Sequence, residues 1–295
     1  MLLVLGRTHY FANFACGDGA LVFVGRAVLL DNYNEGIMVT VTIGGHKVRM
    51  YDSIDELPIV RFHRYQRSLL VDAGVGSDMA AFDQRIERAR RFLVTGDTEK
   101  AGRELENLRQ SVFLIQNSVD TKLLSFAALV SEVDGVVCED LSDEGLRKVC
   151  EMLAKVPVGE MTAQLGAVKK KIDDDLQLYF PTVFNDASVK EYYDILRRRA
   201  LAVLDGIIRG EDKPGETAEV DRLTTALITY SKPQLFSGSD GVEVTFDRQF
   251  EDLCLVLSEQ VHVSSKNLTV LEFYNAFDFV RERARQAEKG QKRAV

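Results

Sequence analysis

Across most of the span from Pro58 to Ala284 the apolar residues recur at steps of three and four. That period belongs to amphipathic helices, so the chain is mainly α. The clear exception stands near the front. Val39-Thr40-Val41-Thr42-Ile43 and His46-Lys47-Val48-Arg49-Met50-Tyr51 flank Gly44-Gly45 and read as a β-hairpin. A two-stranded hairpin is not stable alone in water. This one therefore packs on helices, or pairs its edge with residues 1–37, with Val242–Phe246 or with another chain. The expected architecture is an irregular multi-helix bundle with a small N-terminal β-hairpin.

The helices can be read in order. Ser53 and Glu56 fit a capping box ahead of a helix from Pro58 to Asp72. Met79, Phe82, Ile86, Ala89 and Leu93 form one stripe. After Gly96, Asp97 is placed to cap a second helix, with the stripe Ala101, Leu105, Leu108, Val112 and Ile115. Two such stripes predict an antiparallel helical hairpin packed through them. Leu123–Val133 reads as a buried helix and Val136-Val137-Cys138 as a short extended piece. Ser142 caps a helix facing inward through Leu146, Val149, Leu153 and Val156, and Leu165, Val168, Ile172 and Leu176 line the next. Val189, Tyr192, Leu196, Ala200, Val203 and Ile207 mark a long helix. Gly210–Glu216 is polar and holds Pro214-Gly215, so it is the expected joint between a 38–210 domain and a 217–295 subdomain. Beyond it, Val220, Leu223 and Leu227 point inward, Val242–Phe246 fits a strand, and Phe250, Leu253, Leu257 and Val261 mark a helix. Thr269 and Glu272 form a second capping box, stapled by Leu268 and Phe273. From Arg281 the chain ends in a basic tail expected to fray.

Residues 1–37 are apolar, punctuated by glycine and free of lysine. Leu2–Leu5 and Leu21–Val24 fit short strands, and neither approaches the ~18 apolar residues of a membrane span. Two readings of this segment stand open. It is a strand pair packing on the hairpin, or it is an over-extended gene start, because codons for Glu35-Gly36 can spell a ribosome-binding sequence just ahead of Met38.

Local chemistry is sparse. The chain contains no P-loop, no G-x-S-x-G and no H-E-x-x-H. The four cysteines (Cys16, Cys138, Cys150, Cys254) are scattered, with no metal-ligand spacing, and read as reduced thiols in a cytoplasm. His63 lies among Arg61, Arg64 and Arg67, and a catalytic role for it needs a partner that sequence alone does not supply. Asp173-Asp174-Asp175 points three ways around a helix and cannot converge on one ion, so a surface salt-bridged to Lys169-Lys170-Lys171 is expected instead. No cofactor is expected. A net charge of −8 opposes general nucleic-acid binding. What remains is a non-enzymatic protein that works through protein contacts. Its candidate partner-binding residues are the aromatic stripe Phe273, Tyr274, Phe277 and Val280, and the hairpin edge Val39, Val41 and Ile43, through which oligomerisation is also possible.

From Met38 onward the chain has a short β start, a run of acidic helices, Phe250–Leu257 and the closing Leu268-Thr269-Val270-Leu271-Glu272-Phe273-Tyr274-Asn275-Ala276-Phe277. That pattern resembles the tail assembly chaperones of tailed bacteriophages, which often close on a comparable LT-x-x-E-[FY] helix. The resemblance implies a protein of the host cytoplasm that binds the long apolar helices of a tape-measure protein and keeps them soluble until the tail tube assembles. The alternatives are a structural virion component, such as a neck or connector subunit, and an enzyme or cellular adaptor without a local motif. Mass spectrometry of the native protein separates the two readings of its front. A peptide from upstream of Met38 ends the late-start reading.

Overall fold

The computed structural model describes residues 38–184, 187–230 and 233–293. The strands and gene start discussed for residues 1–37 lie outside the described residues. In chain order the elements are β1 (Val39–Ile43), β2 (His46–Met50), α1 (Ile59–Gly74), α2 (Met79–Val94), α3 (Thr98–Gln116), α4 (Thr121–Leu129), β3 (Val130–Val133) and β4 (Val136–Val137). They continue with α5 (Asp143–Met152), α6 (Val158–Tyr179), α7 (Pro181–Phe184), α8 (Ala187–Ile208), α9 (Ala218–Tyr230), α10 (Val242–Val261) and α11 (Val270–Arg293). The chain is mainly α, with one small antiparallel sheet among the described residues, as its periodicity predicts.

The described residues divide into two compact units, each assembled from separate stretches. One comprises residues 71–120 and 181–242. The other comprises 38–70, 121–180 and 243–293. The polar loop expected to be a joint, with its 3-10 turn Pro214–Glu216, lies inside the first unit. The second unit is held by contacts between residues far apart in sequence, which composition does not reveal.

In that second unit the hairpin is the edge of a four-stranded sheet of order β1-β2-β3-β4. Gly44 and Gly45 take φ of 57° and 89°, the left-handed pair that a two-residue hairpin turn requires. Val41 faces Val48, and Val48 faces Val133 across the next ladder. Ile43, Val48 and Met50 are buried, while Thr40, Thr42, Lys47 and Arg49 point out. The alternation read from the sequence thus places one face on the core. Leu123–Val133 does not remain helical. It switches after Leu129, where the β-branched Val130 and Val133 complete the ladder. Arg61 fixes that switch from beneath by donating to the carbonyls of Ala128 (3.2 Å) and Val130 (2.9 Å).

Local signals place several helix ends well. Asp97 and Ser142 cap α3 and α5 by accepting from the amides of Lys100 and Gly145, both at 3.1 Å. Ser53 instead closes a turn, accepting from Asp55 N, and α1 begins after Pro58. The capping box of α11 is formed in both directions: Thr269 N–H donates to Glu272 Oε2 at 2.9 Å, and Glu272 N–H donates to Thr269 Oγ1 at 3.3 Å. The next orphan amides of α11 donate to the loop before α1, Val270 to Leu57 O (2.9 Å) and Leu271 to Ile54 O (3.0 Å). α11 runs on to Arg293 where a frayed tail was expected. The inward residues of α5, α6 and α9 are those predicted, with Leu146, Val149, Leu153, Val156, Leu165, Val168, Ile172, Leu176, Val220, Leu223 and Leu227 all buried.

Val242–Phe246 is not a strand. It opens α10, with Val242 and Phe246 buried one turn apart and Cys254 and Leu257 continuing that face. Five alternating residues, three of them β-branched, suit a strand locally, but the twenty of the full helix carry the helical period, and the longer pattern prevails. Thr269→Ala removes the box at α11. It should lower stability by about 1 kcal/mol without changing the denaturant slope, measured by urea unfolding.

Candidate functional site

Of the candidate partner residues on α11, Phe273 and Tyr274 are buried, and Phe277 and Val280 are half-buried. Phe273 lies 6.1 Å from Phe250 and edge-on to Tyr274 at 5.7 Å, and Tyr274 also meets Phe62 and Phe180. These rings make an aromatic core, and full burial holds the Tyr274 hydroxyl well above the ordinary tyrosine range. The front of the stripe is therefore inside the unit and not an accessible groove. In the hairpin, Ile43 is buried and Val39 and Val41 are half-buried. β1 pairs only with β2 among the described residues, so its outer edge carries no partner there.

The α2–α3 pair presents a different surface from the one its periodicity predicts. The faces turned inward are Arg85, Ala89 and Phe92 on α2, and Ala101, Glu104, Asn107, Ser111 and Leu114 on α3. Of the predicted stripes only Ala89 and Ala101 are buried. Phe82, Leu108 and Ile115 are half-buried, and Met79 (59% exposed), Ile86, Leu93 (56%), Leu105 and Val112 face solvent. Val94 and Phe113 (60%) join them. The stripes are rotated outward by roughly one residue, about 100°.

The reason is a polar seam. The Arg85 guanidinium is almost fully buried and makes three bonds. Nε donates to Val75 O at 2.5 Å, Nη2 to Ala73 O at 2.9 Å and Nη1 to Glu104 Oε2 at 3.1 Å. It thereby satisfies carbonyls at the C-terminal end of α1 that have no helical partner. Ser111 Oγ donates to Gly76 O at 3.1 Å beside it. Burial lowers the Arg85 pKa to about 10, helped by Arg88 and opposed by Glu104, so it stays charged at neutral pH. Arg88 approaches the other Glu104 oxygen at 3.9 Å. A helix can turn only one face to this seam, and these groups cannot be desolvated elsewhere without loss.

The second unit holds a compact ionic cluster around His63. Its Nε2 lies 2.8 Å from Asp247 Oδ1, and its ring is stacked on Phe246 and Phe250 at 4.5 Å and 4.0 Å. Arg67 reaches Glu243 at 3.2 Å and Asp247 at 3.4 Å, and Arg64 pairs with Asp143. His63 thus has the carboxylate partner that sequence could not supply, but stacked rings flank it and its ring nitrogen is engaged. That arrangement ties α1 to α10. Burial raises the Glu243 carboxyl, with Arg67 opposing. Burial also acts to raise Asp247, but the His63 bond and the Arg67 and Arg64 charges prevail and hold it below its ordinary value. The cluster was missed because Val242–Phe246 read as a strand. On a helix, Glu243, Phe246, Asp247 and Phe250 fall at steps of three and four on one face. Of the three aspartates of α6, Asp173 pairs with Lys169, while Lys171 reaches over to Asp52 at 2.8 Å. No helix of the described residues is long and apolar enough to cross a membrane.

Glu104→Leu leaves Arg85 buried without its counter-charge and should cost about 3–5 kcal/mol in urea unfolding, while Arg85→Met with Glu104→Leu should recover much of that loss. The depressed Asp247 carboxyl contributes stability that is fully present above its unfolded-state pKa and is lost as pH falls through the folded value. Asp247→Asn should therefore flatten the acid limb of the stability profile below about pH 4, read by thermal melts across pH.

A scan against protein-family models finds no match, and no curated protein and no solved structure matches the chain.

Proposed function

We propose that this chain is a non-enzymatic helical interaction protein that holds apolar helices of a client, in the manner of a phage tail assembly chaperone with a tape-measure protein. One observation carries the reading. Met79, Ile86 and Leu93 repeat at every second turn of α2 and face solvent, as do Leu105, Val112 and Phe113 on α3. Single exposed apolar residues are ordinary, but stripes of helical period turned outward on paired helices suit the apolar face of another helix. α8 adds Leu201, Leu204, Ile207 and Ile208 in the same unit. The net charge of −8 keeps such a surface dispersed in water and repels further copies of itself. The location this implies is the cytoplasm of a host cell.

The β1 edge, unpaired among the described residues, favours a second reading, a structural virion component whose hairpin extends a neighbour's sheet. The two separate by experiment. A synthetic amphipathic, leucine-rich helix that aggregates in buffer serves as the probe, followed by light scattering. The native chain should keep it dispersed at near-equimolar ratio. Ile86→Glu, Leu93→Glu and Phe113→Glu combined should abolish that holding while leaving the far-ultraviolet circular dichroism and melting temperature nearly unchanged. Undiminished holding by the triple variant, or none by the native chain, overturns the proposal.

A further inference from the structure

A second face of α3 meets mostly main chain, with one side-chain bond from Ser237 Oγ to Glu106 Oε1 at 3.5 Å. The segment Pro233–Ser237 lies along it within the same unit. Arg103 Nη1 donates to Pro233 O at 3.3 Å. One turn on, the buried Asn107 amide engages both sides of one residue: Nδ2 donates to Gln234 O at 2.7 Å, and Oδ1 accepts from Phe236 N–H at 3.3 Å. The carbonyl before a residue and the amide after it point the same way only when that residue is extended, as a strand partner would present them. Leu235 is that residue. Its own carbonyl is taken on the opposite side by Val242 N–H at 2.9 Å, and its side chain is exposed. A single side chain anchors the segment. The Phe236 ring lies so close over Gly74 that a Cβ there would stand 1.7 Å from it.

The face continues beyond this segment. Glu106, Arg109, Gln110 and Phe113 border an open groove of about 510 Å³ that runs from Phe236. Gln110 lines it, and its Oε1, enclosed in the free chain, has no hydrogen-bond partner among the described residues. Arg103, Asn107 and Gln110 step along the helix by four and three, so the third member of a polar ladder stands ready for an N–H that Pro233–Ser237 does not bring. Phe113 is exposed at the same end.

We propose that Arg103, Asn107 and Gln110 form a peptide groove that reads main chain, whose ligand is an extended, aromatic-anchored segment of a protein partner. Pro233–Ser237 holds that place in the free chain and is exchanged for the ligand. The contacts define the ligand's chemistry. It needs an aromatic residue at the Phe236 position, accepts any side chain at the Leu235 position, and tolerates proline three residues before the anchor because only a carbonyl is used there. It adds an N–H for Gln110 and an apolar side chain against Phe113. The proposal does not rest on client holding by the outer stripes of α2 and α3.

The test uses the full chain carrying Phe236→Ala, which removes the internal anchor, and a fluorescent peptide of residues 233–238. Fluorescence anisotropy should show the peptide binding this variant at least about tenfold more tightly than the native chain. Adding Asn107→Leu should cost about tenfold, the worth of two main-chain hydrogen bonds. A peptide with alanine in place of the aromatic should not bind. No binding to a folded Phe236→Ala chain, or binding indifferent to Asn107→Leu, overturns the proposal. Hydrogen exchange on the native chain gives an independent arm should Phe236→Ala not fold. The Phe236 amide should exchange at least about tenfold faster than the Ser111 and Leu114 amides of α3, by local release. Equal protection would show that the segment leaves only on global unfolding and would equally overturn exchange.

Discussion

The α2–α3 hairpin of the first unit is arranged around one buried guanidinium. Arg85 joins the end of α1, α2 and α3 at a single point, with two carbonyls and the Glu104 carboxylate as partners. A buried ion pair contributes little net stability compared with a well-packed apolar cluster, because desolvation offsets most of its attraction. Its effect is selective. Any rotation of α2 that brought Ile86 and Leu93 inward would strand a charge and reopen the α1 carbonyls. A few polar bonds thus decide which face of a helical hairpin is inside. They outweigh the apolar period that would otherwise decide it.

The second unit follows the more usual rule. Its sheet buries Ile43, Val48, Met50, Val130 and Val133, and α5 and α6 bury the faces their period predicts. α11 is placed by its first turn: the capping box fixes where the helix starts, and two backbone bonds to Ile54 and Leu57 fix where it lies. Once there, Phe273 and Tyr274 have no direction to point but into the rings of Phe62, Phe180 and Phe250. His63, flanked by Phe246 and Phe250, extends that aromatic stack to an ionic rim.

What sequence could reveal, and what it could not, follows from these two cases. The hairpin, the caps at Asp97, Ser142 and Thr269, and the core faces of α5, α6 and α9 rest on local signals, and local signals are legible. The sheet's third strand was hidden because Val130–Val133 continues a helical run and becomes a strand only through pairing with Val48–Met50. α10 was obscured by a five-residue alternation at its head. The seam was the least legible. Arg85 and Glu104 are two charges among many, and nothing local distinguishes a buried one from a solvated one. Of the candidate partner residues, Phe273, Tyr274 and Ile43 belong to the core, while the accessible apolar stripes are those that the period assigned to the interior. The same outward rotation that misled the pattern leaves the surface on which the functional proposal stands.

Adjacent residues on α2 report which way the apolar stripe faces. Phe92 and Leu93 are neighbours, yet Phe92 is 1% exposed and Leu93 56%. Hydroxyl-radical footprinting of the native chain, resolved by mass spectrometry, reads both in one experiment. The seam predicts that Leu93 oxidises readily, along with Met79 and Phe113, while Phe92 is protected. A protected Leu93 beside a reactive Phe92 would place the apolar stripe inside and contradict the account.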